Sequence, residues 1–277
     1  MSSGASRAAI YEVLTISKDG KEEPLQGKTV NFNYYESLYS PVVSGNLTYV
    51  DAGGSTEDKK DNLTSIKDGL PITAFEDLKV KIQTSFGTID FTKDPFKVTS
   101  SPIMHQESNR QTVLLTFVNE KELRNSEVPV FDRYVGRISD SIRKILQQKL
   151  QISNDKIDIE PTKNSYGFVG KGRGALNIIL DLCRRSVPVK GDAGYFFYQT
   201  QDGFNYKSID SLLSQDPKQK YLYYGALRSN VESSDNDFNV LLAPKVKKDQ
   251  DITKALKDGT YVNRNIFFNP QTFEHSE

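Results

Sequence analysis

Just after Val118 the hydrophobic period of this chain changes, and that change limits what it can fold into. Up to that point apolar residues alternate in short runs, the period of a half-buried strand. Residues 11–16 form one run, closed by the turn Asp19-Gly20. Residues 29–35 alternate around Val30, Phe32 and Tyr34, and residues 46–50 lead into the turn Asp51-Ala52-Gly53-Gly54. Residues 55–68 are charged and polar and fit a loop or a short surface helix, and Leu70-Pro71-Ile72 opens a new β segment. Leu78, Val80 and Ile82 share one face of a strand, with Lys79 and Lys81 on the other. Residues 88–91, 96–98 and 111–118 complete the set, and so many short strands separated by turns suggest a sandwich or barrel.

Beyond Val118 the pattern becomes helical. Val135, Ile138, Ile142, Ile145, Leu146 and Leu150 recur at steps of three and four, predicting a helix over 132–150. Arg133, Arg137, Arg143, Lys144 and Lys149 lie mostly off that face, as a solvated surface or a docking site for a partner. Residues 157–160 read as a short strand ending at Pro161, and residues 175–185 as a second helix with Leu176, Ile179, Leu180 and Cys183 inward. An aromatic hairpin over 195–207 and a short helix from Ser208 follow. From Gln219 onward β character returns, at 221–227, 238–242 and 266–268.

Composition removes several function classes. Thirty-six Lys and Arg balance thirty-six Asp and Glu, whereas a general nucleic-acid binder carries a basic excess. No window approaches the apolar length of a membrane helix, and residues 1–9 lack the apolar core of a signal peptide. The single cysteine, Cys183, allows no intrachain disulfide and fits synthesis in a reducing cytoplasm. On its apolar helix face it reads as a packed core thiol. The 14 Tyr and 15 Phe suit broad β layers and subunit contacts, where Tyr joins an apolar body to a polar tip.

Few residues invite a chemical role. Gly170-Lys171-Gly172-Arg173-Gly174 precedes a helix, where backbone amides can hold an anion. Its spacing departs from the dinucleotide fingerprint, which favours a tight strand-to-helix turn with solvated Lys171 and Arg173. Gly27-Lys28-Thr29 resembles the end of a P-loop, but Glu22 stands where the first glycine belongs and no helix is expected after it. His105 and His275 have only carboxylates nearby (Glu107; Glu274 and Glu277), with no second His or Cys at zinc-ligand spacing. Glu120, Glu122 and Glu127, and Asp235 with Asp237, read as solvated loop acids rather than a glycosidase pair. No catalytic, cofactor-binding or metal-binding residues are therefore assigned.

Several segments together carry a resemblance. They are Val30-Asn31-Phe32-Asn33-Tyr34-Tyr35-Glu36-Ser37-Leu38 with Ser40-Pro41, then Leu70-Pro71-Ile72-Thr73-Ala74-Phe75-Glu76, then residues 166–173. The last and most specific is Gly194-Tyr195-Phe196-Phe197-Tyr198-Gln199-Thr200-Gln201-Asp202-Gly203-Phe204-Asn205-Tyr206-Lys207-Ser208-Ile209-Asp210. In this order they resemble the baseplate hub proteins of contractile-tailed bacteriophages. The resemblance implies a mainly β (α+β) fold: two tail-tube-like antiparallel β-barrel domains with an α/β insertion between them. The expected boundaries are 1–118 for the first barrel, 119–217 for the insertion and 218–277 for the start of a second, incomplete barrel. It also implies a structural virion protein and not an enzyme. Three copies would form a pseudo-sixfold ring joining the central spike to the tail tube and other baseplate subunits, with DNA passing through the bore. Its place would be the tail baseplate, after assembly in the host bacterial cytoplasm, with no cofactor. A different class of reading is a single-stranded nucleic-acid binder using the 170–174 loop and the aromatic hairpin.

Overall fold

The computed structural model describes residues 9–54, 56–57, 63–84, 87–107, 110–191, 194–217, 222–223, 240–241, 251–257 and 267–276. The chain divides into a large unit ending at Pro217 and a small one from Lys218 onward. The fold is mainly β.

The large unit begins with β1 (Ile10–Lys18), β2 (Lys21–Pro24), β3 (Thr29–Tyr35) and β4 (Ser44–Asp51). A short ribbon of β5 (Thr56–Glu57) and β6 (Leu63–Thr64) and one turn of helix α1 (Ile66–Gly69) come next. Then come β7 (Asp77–Thr84), β8 (Gly87–Ser100), β9 (Ile103–Glu107) and β10 (Arg110–Asn119). These strands make one antiparallel sheet in the order β2-β1-β7-β8-β10-β4-β3, with β9 beside β10. Alternation fixes its register: Leu78, Val80 and Ile82 of β7 and Val113, Leu115 and Phe117 of β10 are buried in one core. On the outer face Lys79 and Lys81 reach across to Glu22 and Glu12. Gly45 lies under the Phe117 ring and against the Asn33 carbonyl, so no side chain fits there.

The two ends of this ladder, β2 and β3, are separated by only residues 25–28, so the sheet must curl until its edges converge. Leu25, fully buried, fills the gap. Its N–H donates to the Leu14 carbonyl at 2.8 Å, and Thr29 Oγ1 donates to its carbonyl at 2.7 Å. Among the described residues the ladder stays open rather than closing into a barrel. β2 spans four residues and ends at Pro24, which has no N–H to donate.

Three local readings need correction. Val30 does not point inward: a register shift between Thr29 and Asn31 turns it out. The expected strands 88–91 and 96–98 are one strand, β8, in which residues 92–95 bulge, so that Val80 faces Phe91 and Leu78 faces Phe96. The helix expected from 132 starts only at Ile138, because Gly136 takes φ +117° and Arg137 is extended. Val135 therefore lies outside the helix and is exposed.

The second half of the large unit contains α2 (Glu120–Glu127), β11 (Arg133–Tyr134), α3 (Ile138–Gln148), β12 (Ile157–Ile159) and β13 (Phe168–Val169). It continues with α4 (Ala175–Cys183), β14 (Tyr195–Thr200), β15 (Gly203–Ser208) and α5 (Ile209–Leu213). Here β12 pairs parallel to β15 and β14 antiparallel to it. Helices α3 and α4 share a core with this sheet, built from Ile138, Ile142, Ile145, Leu176, Ile179, Phe197 and Tyr206. Ser208 caps α5, its Oγ accepting from the Ser211 N–H at 3.1 Å.

The small unit holds β16 (Leu222–Tyr223) parallel to β17 (Val240–Leu241), α6 (Ile252–Lys257), and a ribbon of β18 (Phe267–Asn269) with β19 (Glu274–Ser276). The rest of the expected strands 221–227 and 238–242 lies outside the described residues. Helix α6 lies between the expected strands 238–242 and 266–268.

Candidate assembly surfaces

The glycine-rich loop is a packing device. Gly170 lies so close to the Val130 carbonyl that a Cβ would collide with it. Val130 N donates to the Arg173 carbonyl and Gly172 N to the Val130 carbonyl, both at 2.9 Å. Lys171 and Gly172 are both left-handed, at φ +55° and +74°. Buried Asn125 supplies the partner that an anion could otherwise be: its Oδ1 accepts from Leu176 N at the start of α4, at 2.8 Å. Arg173 turns aside to Asp181 at 2.5 Å.

Four of the hairpin's six aromatics face the core. Tyr195, Phe197, Phe204 and Tyr206 are buried, with Tyr195 on Tyr206 at 4.5 Å and Phe197 on Phe204 at 6.0 Å between centroids. Rings so placed cannot stack on bases. Between them Phe196 points outward and meets Tyr39 edge-on at 5.7 Å, tying the hairpin to the sheet lobe. Two glutamines finish that junction. Gln199 Oε1 accepts from Val43 N at 3.0 Å, and Gln201 donates twice, from N to Glu36 and from Nε2 to the Thr88 carbonyl, at 2.7 and 2.8 Å. A cleft of about 150 Å³ remains beside them, lined by Asp90, Asp94, Lys121, Ser153 and Lys156 among others. Thr92 bonds to the Asp90 carboxylate through both Oγ1 and N and holds it below the usual carboxylate range.

The other candidates are scattered. His105 is exposed beside Glu107 at 3.2 Å, and His275 is exposed on β19. Gly27-Lys28-Thr29 runs from a 3-10 turn directly into β3. Glu120 pairs with Lys121, and partial burial raises the Glu122 carboxyl. Asp235 and Asp237 lie outside the described residues. No group of three or more metal-ligating side chains occurs, and no helix is long and apolar enough to cross a membrane, among the described residues.

Cys183 packs in the core shared by α3, α4 and the β12–β15–β14 sheet, and burial pushes its thiol up to about 12. A thiol so shifted is almost wholly protonated at neutral pH, and the thiolate is the reactive form. Folded protein is therefore expected to react with a maleimide at least roughly a hundredfold slower than protein in denaturant. Equal rates, followed by mass spectrometry, would show an accessible thiolate and overturn this placement.

Two exposed features were not visible in the sequence. Phe75 is 61 % exposed at φ +71°, a conformation that bulky side chains rarely take. It is held there by Glu76, whose side chain is fully buried against Lys18. Phe131, Val135 and Val169 are exposed together on the ribbon of β11 and β13. Edges are open as well: β2, β3 and β9 each have one strand neighbour among the described residues, and every residue of β9 is exposed.

No family model matches this chain, and no curated protein matches it. Among solved structures it is similar to the 43 kDa tail protein of prophage MuSo2 from Shewanella oneidensis, at 10 % identity and a TM-score of 0.50. The match covers 77 % of this chain and 59 % of that protein, so the chain spans under two thirds of its length. The tail protein from Neisseria meningitidis MC58 matches at 10 % identity and 0.47, over 78 % of this chain and 56 % of that one. The E. coli c3393 protein is a type VI secretion component with structural similarity to T4 tail proteins gp27 and gp5. It matches at 9 % identity and 0.40, over 73 % and 47 %. At such identities likeness speaks for the fold alone. The fold is of a kind found in a phage tail protein.

Proposed function

We propose that this chain is a structural, non-enzymatic protein of a contractile phage tail. It acts as a baseplate hub subunit, three copies of which form a pseudo-sixfold ring. The ring joins the central spike to the tail tube and leaves a channel for DNA at ejection. In this reading residues 1–118 make the first tube-like barrel, 119–217 the insertion and 218–277 the start of a second barrel. It belongs to the virion baseplate and assembles in the host cytoplasm.

The curled sheet with open edges carries the reading. The edges at β2, β3 and β9, each with one strand neighbour among the described residues, invite strand pairing from outside, which a closed ring of copies satisfies without further growth. The fold likeness to a phage tail protein supports the same role. DNA must slide through such a bore, so its lining is expected to be neutral or acidic, since tight phosphate contacts by Lys and Arg would brake ejection.

Light scattering and negative-stain imaging of the purified chain test the reading. The expected species has three times the 31.2 kDa chain mass and an open ring with six-lobed outline. A compact monomer at every concentration, or a bore lined mainly by Lys and Arg, would count against it.

A further inference from the structure

Charge is divided unevenly along this neutral chain. Residues 128–191 hold 12 Lys and Arg against 6 Asp and Glu, whereas residues 9–127 hold 13 against 18. Residues 128–191 are thus basic and residues 9–127 acidic. Much of this excess gathers on one small face. Along β11 the side chain of Tyr134 turns inward and stacks on Phe168 of β13 at 5.2 Å. Strand alternation therefore turns Arg133 of β11 and its partner Val169 of β13 outward, and Phe131 and Val135 flank β11 on either side. Phe131, Val135 and Val169 are 67, 67 and 48 % exposed. The Phe131 ring lies over Gly172, which sets Lys171 at its border, and Arg137 follows at the other end. Arg133, Arg137 and Lys171 form no ion pair among the described residues, although Asp132 and Asp181 nearby are taken by Lys149 and Arg173.

From this we infer that the outer face of the β11–β13 ribbon docks onto the acidic segment 9–127 of a second copy of the chain. An apolar centre with Phe and a cationic rim has the anatomy of a protein interface. Two of its three apolar groups are valines, which offer no ring face to a nucleobase. Pairing the face with itself would oppose like charges, so the contact runs head to tail, from the basic segment of one copy to the acidic segment of the next. Repeated contacts of that kind close into a ring. The inference rests on the ring reading and adds to it which surfaces meet.

The test puts p-benzoylphenylalanine at Phe131 of the full chain, with light scattering and crosslink mapping by mass spectrometry. Crosslinks to residues 9–127 of a second copy are expected. The charge reversal R133E/R137E/K171E should weaken association by roughly tenfold or more, as should raising salt from about 0.05 to about 0.5 M. V135D, a single buried charge at the centre, should do the same, and it serves where the triple variant fails to fold by circular dichroism. Crosslinks into residues 128–191 of the second copy overturn the inference. A ring that forms unchanged in folded variants overturns it while leaving the ring reading intact. A chain that stays monomeric throughout overturns both. Binding of a thymidine oligonucleotide that the triple reversal abolishes, without self-association, overturns it in favour of a nucleic-acid surface.

Discussion

Glu76→Ala is expected to lower the stability of the large unit by ~2–3 kcal/mol, below the cost of breaking a fully buried ion pair because Lys18 stays partly solvated. The carboxylate gathers the chain from three directions. Its Oε1 accepts from Lys18 Nζ and Thr73 N at 2.9 Å each, and from Ala74 N at 3.2 Å. Lys18 Nζ also donates to the Pro71 carbonyl at 2.8 Å and to Thr73 Oγ1 at 2.9 Å. The clamp holds residues 70–76 on β1, and Phe75 is presented from its tip. Phe75 N donates to the Val98 carbonyl at 2.7 Å and Val98 N to the Glu76 carbonyl at 2.9 Å, which locks the left-handed residue between two backbone bonds. Without the carboxylate, two amides lose their acceptor and Lys18 keeps only the Pro71 and Thr73 oxygens, and the ~1–3 kcal/mol of strain at Phe75 has less to hold it.

The same clamp predicts a pH dependence. Burial alone would raise the Glu76 carboxyl, but hydrogen bonds from Lys18 and Thr73 hold it below its ordinary 4.5. The folded value is thus the lower one, and between the two values the unfolded chain binds more protons. Stability from this group is full above about 4.5 and is lost as pH falls through the folded value. Urea melts of the parent and of Glu76→Gln should therefore differ most at neutral pH and converge in acid. A loss of under ~1 kcal/mol in Glu76→Ala at neutral pH, or parallel acid limbs, would show that the clamp is not holding the lobe.

What could be read from the sequence was whatever depends on near neighbours. The alternation Leu78, Val80, Ile82 placed β7 correctly, and the spacing of Ile138, Ile142 and Ile145 placed α3, because period and burial there agree. Where one backbone irregularity intervenes, the pattern misleads. The bulge at Val30 flips one side chain, and Gly136 cuts Val135 from the helix whose spacing it continues. The hairpin was legible as a hairpin, but which rings face inward depends on α4, packed against β14 from another part of the chain. The lobe junction was not legible at all: Val43 and Gln199 meet across 156 residues, and nothing local in either announces the other. The surface features follow the same rule. An excess of basic residues over 128–191 is countable, whereas the exposure of Phe131 and the strain at Phe75 exist only once distant strands are in place.

Gly170→Ala separates a packing loop from an anion-binding loop, and it is the second large effect expected. The Val130 carbonyl and its Cγ1 occupy the space a Cβ needs, and the obstacle is largely backbone, which cannot swing away. Gly170 N also donates to the Asp132 carbonyl at 3.0 Å, so the loop cannot retreat without breaking that bond. Forced overpacking costs about 1–3 kcal/mol, and rigid backbone puts this site at the upper end. The damage should centre on the segment around this loop, seen as faster tryptic cleavage among residues 128–191 and a lower melting midpoint. Lys171→Gly, by contrast, should leave stability within ~1 kcal/mol, because glycine takes φ +55° without steric cost while loosening the unfolded chain. Asn125→Ala should cost about 1 kcal/mol by removing the acceptor at the start of α4. An anion site would give the reverse ranking: the Lys171 and Arg173 variants would lose phosphate-dependent stabilisation, and Asn125→Ala, by vacating the helix end, would strengthen it. The Asn125 bond and the turned-away Arg173 predict that added phosphate shifts the melting of neither the parent nor the Lys171 variant.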